Sequence, residues 1–259
     1  MCYGVKARME MSLRIAKSRG DRSAVEKLTA LLNPYPELDL HFANGFAHPS
    51  LVVYTSDAPR DPQLSTWGLV PSWVKSNAQK EQLWNQTLNA RAETIFEKAA
   101  FRQAARERRC IVHVEGYFEH HHFGKRTYPY FIRLRDRDQF ALAGLWEEWK
   151  DPTNGGLLRT FSIVTTDGND LMRRIHNNPK LDGPRMPVIL TEADEAVWLA
   201  PWRGETDTDL LLSLCRPFPA EDMLAHPVRP LLGANGTGNS ERASEPFDYP
   251  ELALADPLA

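Results

Sequence analysis

Short apolar runs follow one another along this chain with little helix between them. They are "LVVYTS" (51–56), "STWGLVP" (65–71), "CIVHVEGYFEH" (110–120), "YPYFIRLR" (128–135), "FALAGLWEEW" (140–149), "RTFSIVTT" (159–166) and "RMPVIL" (185–190). Each is rich in β-branched and aromatic residues and is bounded by turn formers, so each reads as a strand. A doubly wound parallel sheet needs a helix after every strand, and that alternation is missing. The class is therefore α+β, with a mainly antiparallel, partly barrel-like β-sheet core and peripheral helices. Helix is expected over 5–32 with a break at Gly20, over "ETIFEKAAFRQAARER" (93–108), and from Thr191, where an acid three residues on resembles a capping box. At 259 residues the chain has ample core for one domain over 1–259, and residues 232–259, poor in hydrophobics, read as a loop-rich tail.

Other features narrow the function classes. No apolar run reaches the length of a membrane span, and charges at Lys6, Arg8, Glu10 and Arg14 leave no room for a signal-peptide core. Cys2, Cys110 and Cys215 are too few, and odd in number, for a disulfide framework, which fits a cytoplasmic protein. No Cys/His spacing reads as a zinc site, and His120–His122 read as a loop-like surface run, so no metal and no other cofactor is expected. The net charge of −3 does not itself argue for nucleic acid; the local groups Arg102, Arg106, Arg108, Arg109 and Arg173, Arg174 leave that open.

Cys2 stands directly behind Met1, a position that by itself assigns it no role. Removal of Met1 would leave a thiol and a free α-amine on adjacent carbons, both partly deprotonated near neutrality. Further stretches are dense in functional residue types: "WGLVPSW" with Trp67 and Trp73, "NARAET" with Asn89, Arg91 and Glu93, "EGYFEH" with Glu115 and Glu119, and "IHNNPKLDGPRMPVIL" with His176. Taken in order with Met1–Cys2, "RRC", "AGLWE" and the "TT" before "IH", they resemble the SOS response-associated peptidase (SRAP) family from residue 1 to about residue 200. The family's usual "MCGR" stands here as "MCYG", which removes an arginine that helps hold DNA. A histidine, His120, follows the strand glutamate, and "NNPKLDG" separates His176 from "RMPVIL".

The resemblance implies binding of single-stranded DNA at abasic sites and covalent capture of the sugar aldehyde as a thiazolidine. Cys2 would be the nucleophile, Glu119 the general acid/base, His176 a second proton-transfer group and Asn89 a hydrogen-bond partner for the amine or sugar. Arg91 would grip a phosphate, Trp67 and Trp73 would stack or wedge bases, and Arg173 and Arg174 would add to the DNA face. If "CIVHVEGYFEH" is one strand, Glu115 and Glu119 share a face, and Glu115 is the residue most easily confused with the shuttle. Two rival classes stay open: a cysteine peptidase acting on its own Met1 or in trans, and a non-covalent single-strand-binding module. The protein is expected to act as a monomer.

Overall fold

The computed structural model describes residues 2–252; Met1, and with it the expected loss of that residue, lies outside the described residues, as do residues 253–259 of the expected tail. The chain opens with β1 (Gly4–Ala7), then a hairpin of α1 (Met9–Ser18) and α2 (Arg22–Leu32). It continues through β2 (Leu40–Asn44), β3 (Ser50–Thr55), β4 (Ala58–Trp67), α3 (Asn77–Trp84), β5 (Asn89–Arg91) and α4 (Arg102–Glu107). Next come β6 (Arg109–Val114), β7 (Gly116–Phe123), β8 (Arg126–Leu134), β9 (Phe140–Lys150), β10 (Leu157–Asp167) and α5 (Asp170–Ile175). The last elements are β11 (Arg185–Pro187), β12 (Ile189–Leu190), α6 (Glu192–Leu199), α7 (Thr206–Leu214) and β13 (Met223–Pro227). No helix among the described residues is long and apolar enough to cross a membrane.

Five strands close on themselves: β4 pairs β3, β3 pairs β6, β6 pairs β9, β9 pairs β10, and β10 returns to β4. Only the closing pair, β10 with β4, is parallel. The strands fit this barrel because their apolar residues alternate with a period of two. Cys110, Val112 and Val114 of β6, Leu142 and Trp146 of β9, and Phe161 and Ile163 of β10 join the main core. The intervening Ile111, Ala141, Ala143, Leu145 and Val164 face a second core under α4, α6 and α7, where Trp198 is fully buried. A second sheet, ordered β13-β8-β7-β1-β2, supplies Val5, Tyr117, Tyr130 and Ile132 to the main core.

Three expectations change at this level. Residues 5–7 belong to strand β1, pairing with β7 and β2, and helix begins at Met9. The helix expected over 93–108 is formed only at Arg102–Glu107; Ala92–Thr94 make a 3-10 turn instead, because Glu93 is held from outside by Arg185. "CIVHVEGYFEH" is two strands in different sheets, bent at Glu115, with the His120–His122 run inside β7 rather than in a loop. Gly116 permits the bend: a Cβ there would lie 2.4 Å from the Phe131 ring and 2.5 Å from the Ile132 carbonyl. The helix from Thr191 forms with its reciprocal capping box, completed by Asp194. Residues 232–252 contain short 3-10 turns and are docked: Asn239 Oδ1 accepts from the Phe42 N–H, and Ala243 and Leu252 are buried.

Candidate active site

Cys2 sits just before β1, fully buried in the main core, with its thiol 3.7 Å from the Gly4 carbonyl. Burial, reinforced by the negative charge of Glu119, pushes this thiol up to about 12. A thiol in that position enters a reaction protonated and needs a base to release it.

Asn89 reaches Cys2 from the start of β5. That strand lies parallel to β10, with Asn89 opposite Ile163 and Arg91 opposite Thr165. The Asn89 Nδ2 donates to the Cys2 carbonyl at 2.8 Å, which fixes the orientation of the residue. Its Oδ1 is buried and has no hydrogen-bond partner among the described residues. An unpaired buried acceptor costs free energy, about 1–3 kcal/mol, unless a ligand or a reacting group completes it.

Glu119 is buried on β7, where its Oε1 accepts from the His120 backbone N–H at 3.1 Å and its Oε2 lies 3.9 Å from His176 Nδ1. His176 ends α5, whose other end is capped by the Asn169 side chain accepting from the Met172 N–H. Two rivets bring these elements together. His121 Nδ1 lies 3.0 Å from the Arg174 carbonyl, and His122 and Asn177 exchange a pair of hydrogen bonds at 2.7 and 2.9 Å. Thus the histidine run positions the end of α5 against β7. His176 Nδ1 lies 2.9 Å from the Arg185 N–H and 3.1 Å from the Arg185 carbonyl, so the Arg185 backbone fixes the position of the ring. Burial lowers His176 below its ordinary value against the opposing pull of Glu119, so the ring is neutral at pH 7.

The DNA-facing expectations divide. Trp67 is fully buried: it packs on Phe161, and its indole N–H donates to the Leu88 carbonyl at 2.8 Å, bracing the residue before Asn89. It has no face for a base, which corrects the stacking role expected of it: Phe161 of β10 stacks on the ring and the turn at Gly45 also packs on it. Trp73 is 41% exposed, with its indole N–H donating to the Ala99 carbonyl. Arg91, Arg173 and Arg174 are exposed. Arg173 faces Asp170 at 3.5 Å, and both side chains are in solvent.

Sequence reasoning gave no role to Arg185. It is buried and grips both oxygens of Glu93 at 2.7 and 3.0 Å, Asp167 at 2.9 Å and the Thr165 carbonyl at 2.8 Å. One side chain therefore ties the "NARAET" turn to β10, while its own backbone holds His176. An arginine inside the apolar "RMPVIL" run is the signal that identifies it, since a buried guanidinium needs partners. Glu115 also resolves: both its oxygens are held by Arg8 at 2.8 Å, with Lys6 Nζ at 3.8 Å.

The family model described as SOS response associated peptidase (SRAP) matches residues 11–235. The chain is 39% identical over 176 residues to the abasic site processing protein YoqW of Bacillus subtilis, which spans 68% of this chain and 72% of that protein. It is 31% identical over 183 residues to the abasic site processing protein HMCES of Gallus gallus, 62% of this chain and 51% of that one. A solved structure of a protein from Bacteroides thetaiotaomicron aligns over 95% of this chain and 100% of its own, with a TM-score of 0.79 and 33% identity.

Proposed function

The chain belongs to the SOS response-associated peptidase family, and on that premise we propose that it processes abasic sites in single-stranded DNA, capturing the sugar aldehyde covalently through Cys2 once Met1 is removed. The observation that carries this reading is the convergence of Asn89, Glu119 and His176 on Cys2. The α-amine adds to the aldehyde carbon of the ring-opened sugar to give a carbinolamine. Loss of water leaves an iminium, and the Cys2 sulfur adds to the same carbon to close a five-membered thiazolidine. One water is released, and nothing is oxidised or reduced.

Each proton has a carrier. Glu119 takes the hydrogen of the thiol, which burial keeps protonated, and supplies one to the departing hydroxyl. The His176 ring, neutral at pH 7, assists opening of the sugar. Asn89 Oδ1, buried without a partner among the described residues, accepts from the α-amine and holds it beside the thiol. Exposed Arg91, Arg173 and Arg174 carry the phosphates, and Trp73 offers a stacking face. The same thiol and proton carriers would cleave Met1 autocatalytically, and the iminium opens a lyase-like β-elimination route. Protein whose intact mass shows Met1 removed should give a heat-stable band with an abasic single-stranded oligonucleotide on a denaturing gel. A reversible shift with no such band would leave a non-covalent binding module instead.

A further inference from the structure

Beside the buried Cys2 stands an aromatic pair that the reaction scheme does not use. Phe46 is 51% exposed, at the centre of a 3-10 turn between β2 and β3, and its ring lies 4.7 Å from that of the half-buried Tyr3. The turn is braced without help from the Phe46 ring. The Asn44 side chain accepts from the Phe46 N–H at 3.2 Å, and the Gly45 N–H donates to the Tyr3 carbonyl at 2.9 Å. His48 closes the turn in a left-handed conformation, reaches the Trp67 carbonyl at 2.7 Å and stacks on Trp84. A rigid turn that displays a phenylalanine to solvent does not need that residue for folding.

The position of the missing arginine adds a second observation. Gly4 stands where the family pattern has arginine, and a Cβ there would come within 2.8 Å of the Phe42 ring and 3.4 Å of Phe118. Phe42 and Phe118 pack edge to face in their own buried cluster, so this place is filled. A longer side chain at position 4 is thus closed out by packing, and the residue just before it is the aromatic Tyr3. Tyr3 directly follows Cys2 in the chain, and its phenol feels the charges of Glu119 and Arg91.

We propose that Phe46, backed by Tyr3, is a stacking platform for the base next to the abasic site. This rests on the reading of the protein as a single-strand abasic-site binder. The occupant is a nucleobase rather than a protein side chain, because the platform adjoins Cys2 and the charge of the exposed Arg91 is felt at Tyr3. A base presents a flat π face whatever its sequence, and the neighbouring phosphate suits the arginine.

The test is binding of the mature protein to a single-stranded oligonucleotide with 2-aminopurine beside a reduced, non-reactive abasic site. For wild type, binding should quench the 2-aminopurine. Phe46→Ala should weaken affinity by about 5- to 150-fold, the loss of one stacked base at about 1–3 kcal/mol, with the quench gone and the salt dependence unchanged. Phe46→Trp should retain both affinity and quench, and Phe46→Leu, apolar but without a π face, should behave like Phe46→Ala. Wild-type affinity and quench in Phe46→Ala would overturn the platform and leave the abasic-site reading standing. Equal loss in Phe46→Trp would also overturn it, because a structural role alone would then explain the effect. Failure of wild type to bind the oligonucleotide would remove both.

Discussion

Glu115 and Glu119 lie four residues apart, at 8% and 6% exposure, and the surroundings give the two carboxylates opposite work. Glu115, at the bend between β6 and β7, is held by Nε and one Nη of Arg8, one on each oxygen, with Lys6 nearby. A carboxylate so paired is held in place by two charge-assisted hydrogen bonds, and Arg8 in turn is raised by its hydrogen bonds to Glu115. Glu119 accepts from a backbone N–H, faces the His176 imidazole and acts electrostatically on the Cys2 thiol, so its neighbours include two groups that can exchange protons. Burial alone therefore does not distinguish a structural carboxylate from a proton carrier; the charge and proton inventory around it does.

The largest effect that tests this contrast is on Cys2, the proposed nucleophile that either carboxylate would serve. Cys2→Ser should abolish the heat-stable adduct while keeping the α-amine, so a Schiff base should still be trapped by borohydride and single-strand binding should persist. A heat-stable band from Cys2→Ser without reductant would break the thiazolidine scheme.

Next comes the direct exchange of roles. Glu119→Gln should slow single-turnover crosslinking by about 10²–10⁴-fold with little change in DNA affinity, as removal of a general acid/base does. Glu115→Gln should leave that rate within a few-fold and instead lower stability by roughly 1.5–3 kcal/mol, the worth of hydrogen bonds to a charged partner, read from urea unfolding. If the two variants swap behaviour, the strand is right and the carboxylate wrong.

The sequence distinguished the pair only through the family pattern. Period-two reasoning put Glu115 and Glu119 on one face, and it failed because the strand breaks at Glu115, where the close approach of Gly116 to Phe131 lets β7 change sheet. Alternation was readable wherever one face of a strand meets each core, as in β6 and β9. A partly barrel-like core was readable, but which strands close it was not, because the pairing of β10 with β4 joins segments about ninety residues apart, and it sets Trp67 opposite Phe161. The helix expected over 93–108 has the right period but loses its start to the Glu93–Arg185 contact, a tertiary bond that local propensity does not record. Asn89, Glu119 and His176 were legible as residues, whereas the rivets that assemble them, Arg185, His121 and the His122–Asn177 pair, depend on distant partners.

A smaller effect sharpens the same contrast through pH. His176 is lowered from its ordinary 6.5 by burial, so below that value the unfolded chain binds more protons than the folded one. Its contribution to stability is complete above pH 6.5 and is lost as pH falls from there through its lower folded value. His176→Gln should therefore flatten the decline of Tm between pH 7 and about pH 5 relative to wild type. His226, which burial also lowers, should account for part of the slope that remains. An unchanged decline would mean that the ring is not held neutral beside Glu119.

The smallest effect separates two arginines as the two carboxylates were separated. Arg8 is spent on Glu115, whereas Arg91 is exposed at the end of β5, two residues beyond Asn89. Only a cation with its charge directed to solvent can release counterions from a DNA strand. Single-strand affinity falls with salt at a log–log slope of roughly −0.7 for each phosphate neutralised. Arg91→Ala should therefore flatten that slope by about 0.7. Arg8→Ala should leave the slope unchanged and lower Tm instead, since it strands a buried carboxylate. Titrating both variants with the same abasic oligonucleotide at several salt concentrations gives the two slopes. If the slope moves with Arg8 and not with Arg91, the phosphates run past the Glu115 end of the sheet, and the face assigned to Cys2, Arg91 and Trp73 is the wrong one.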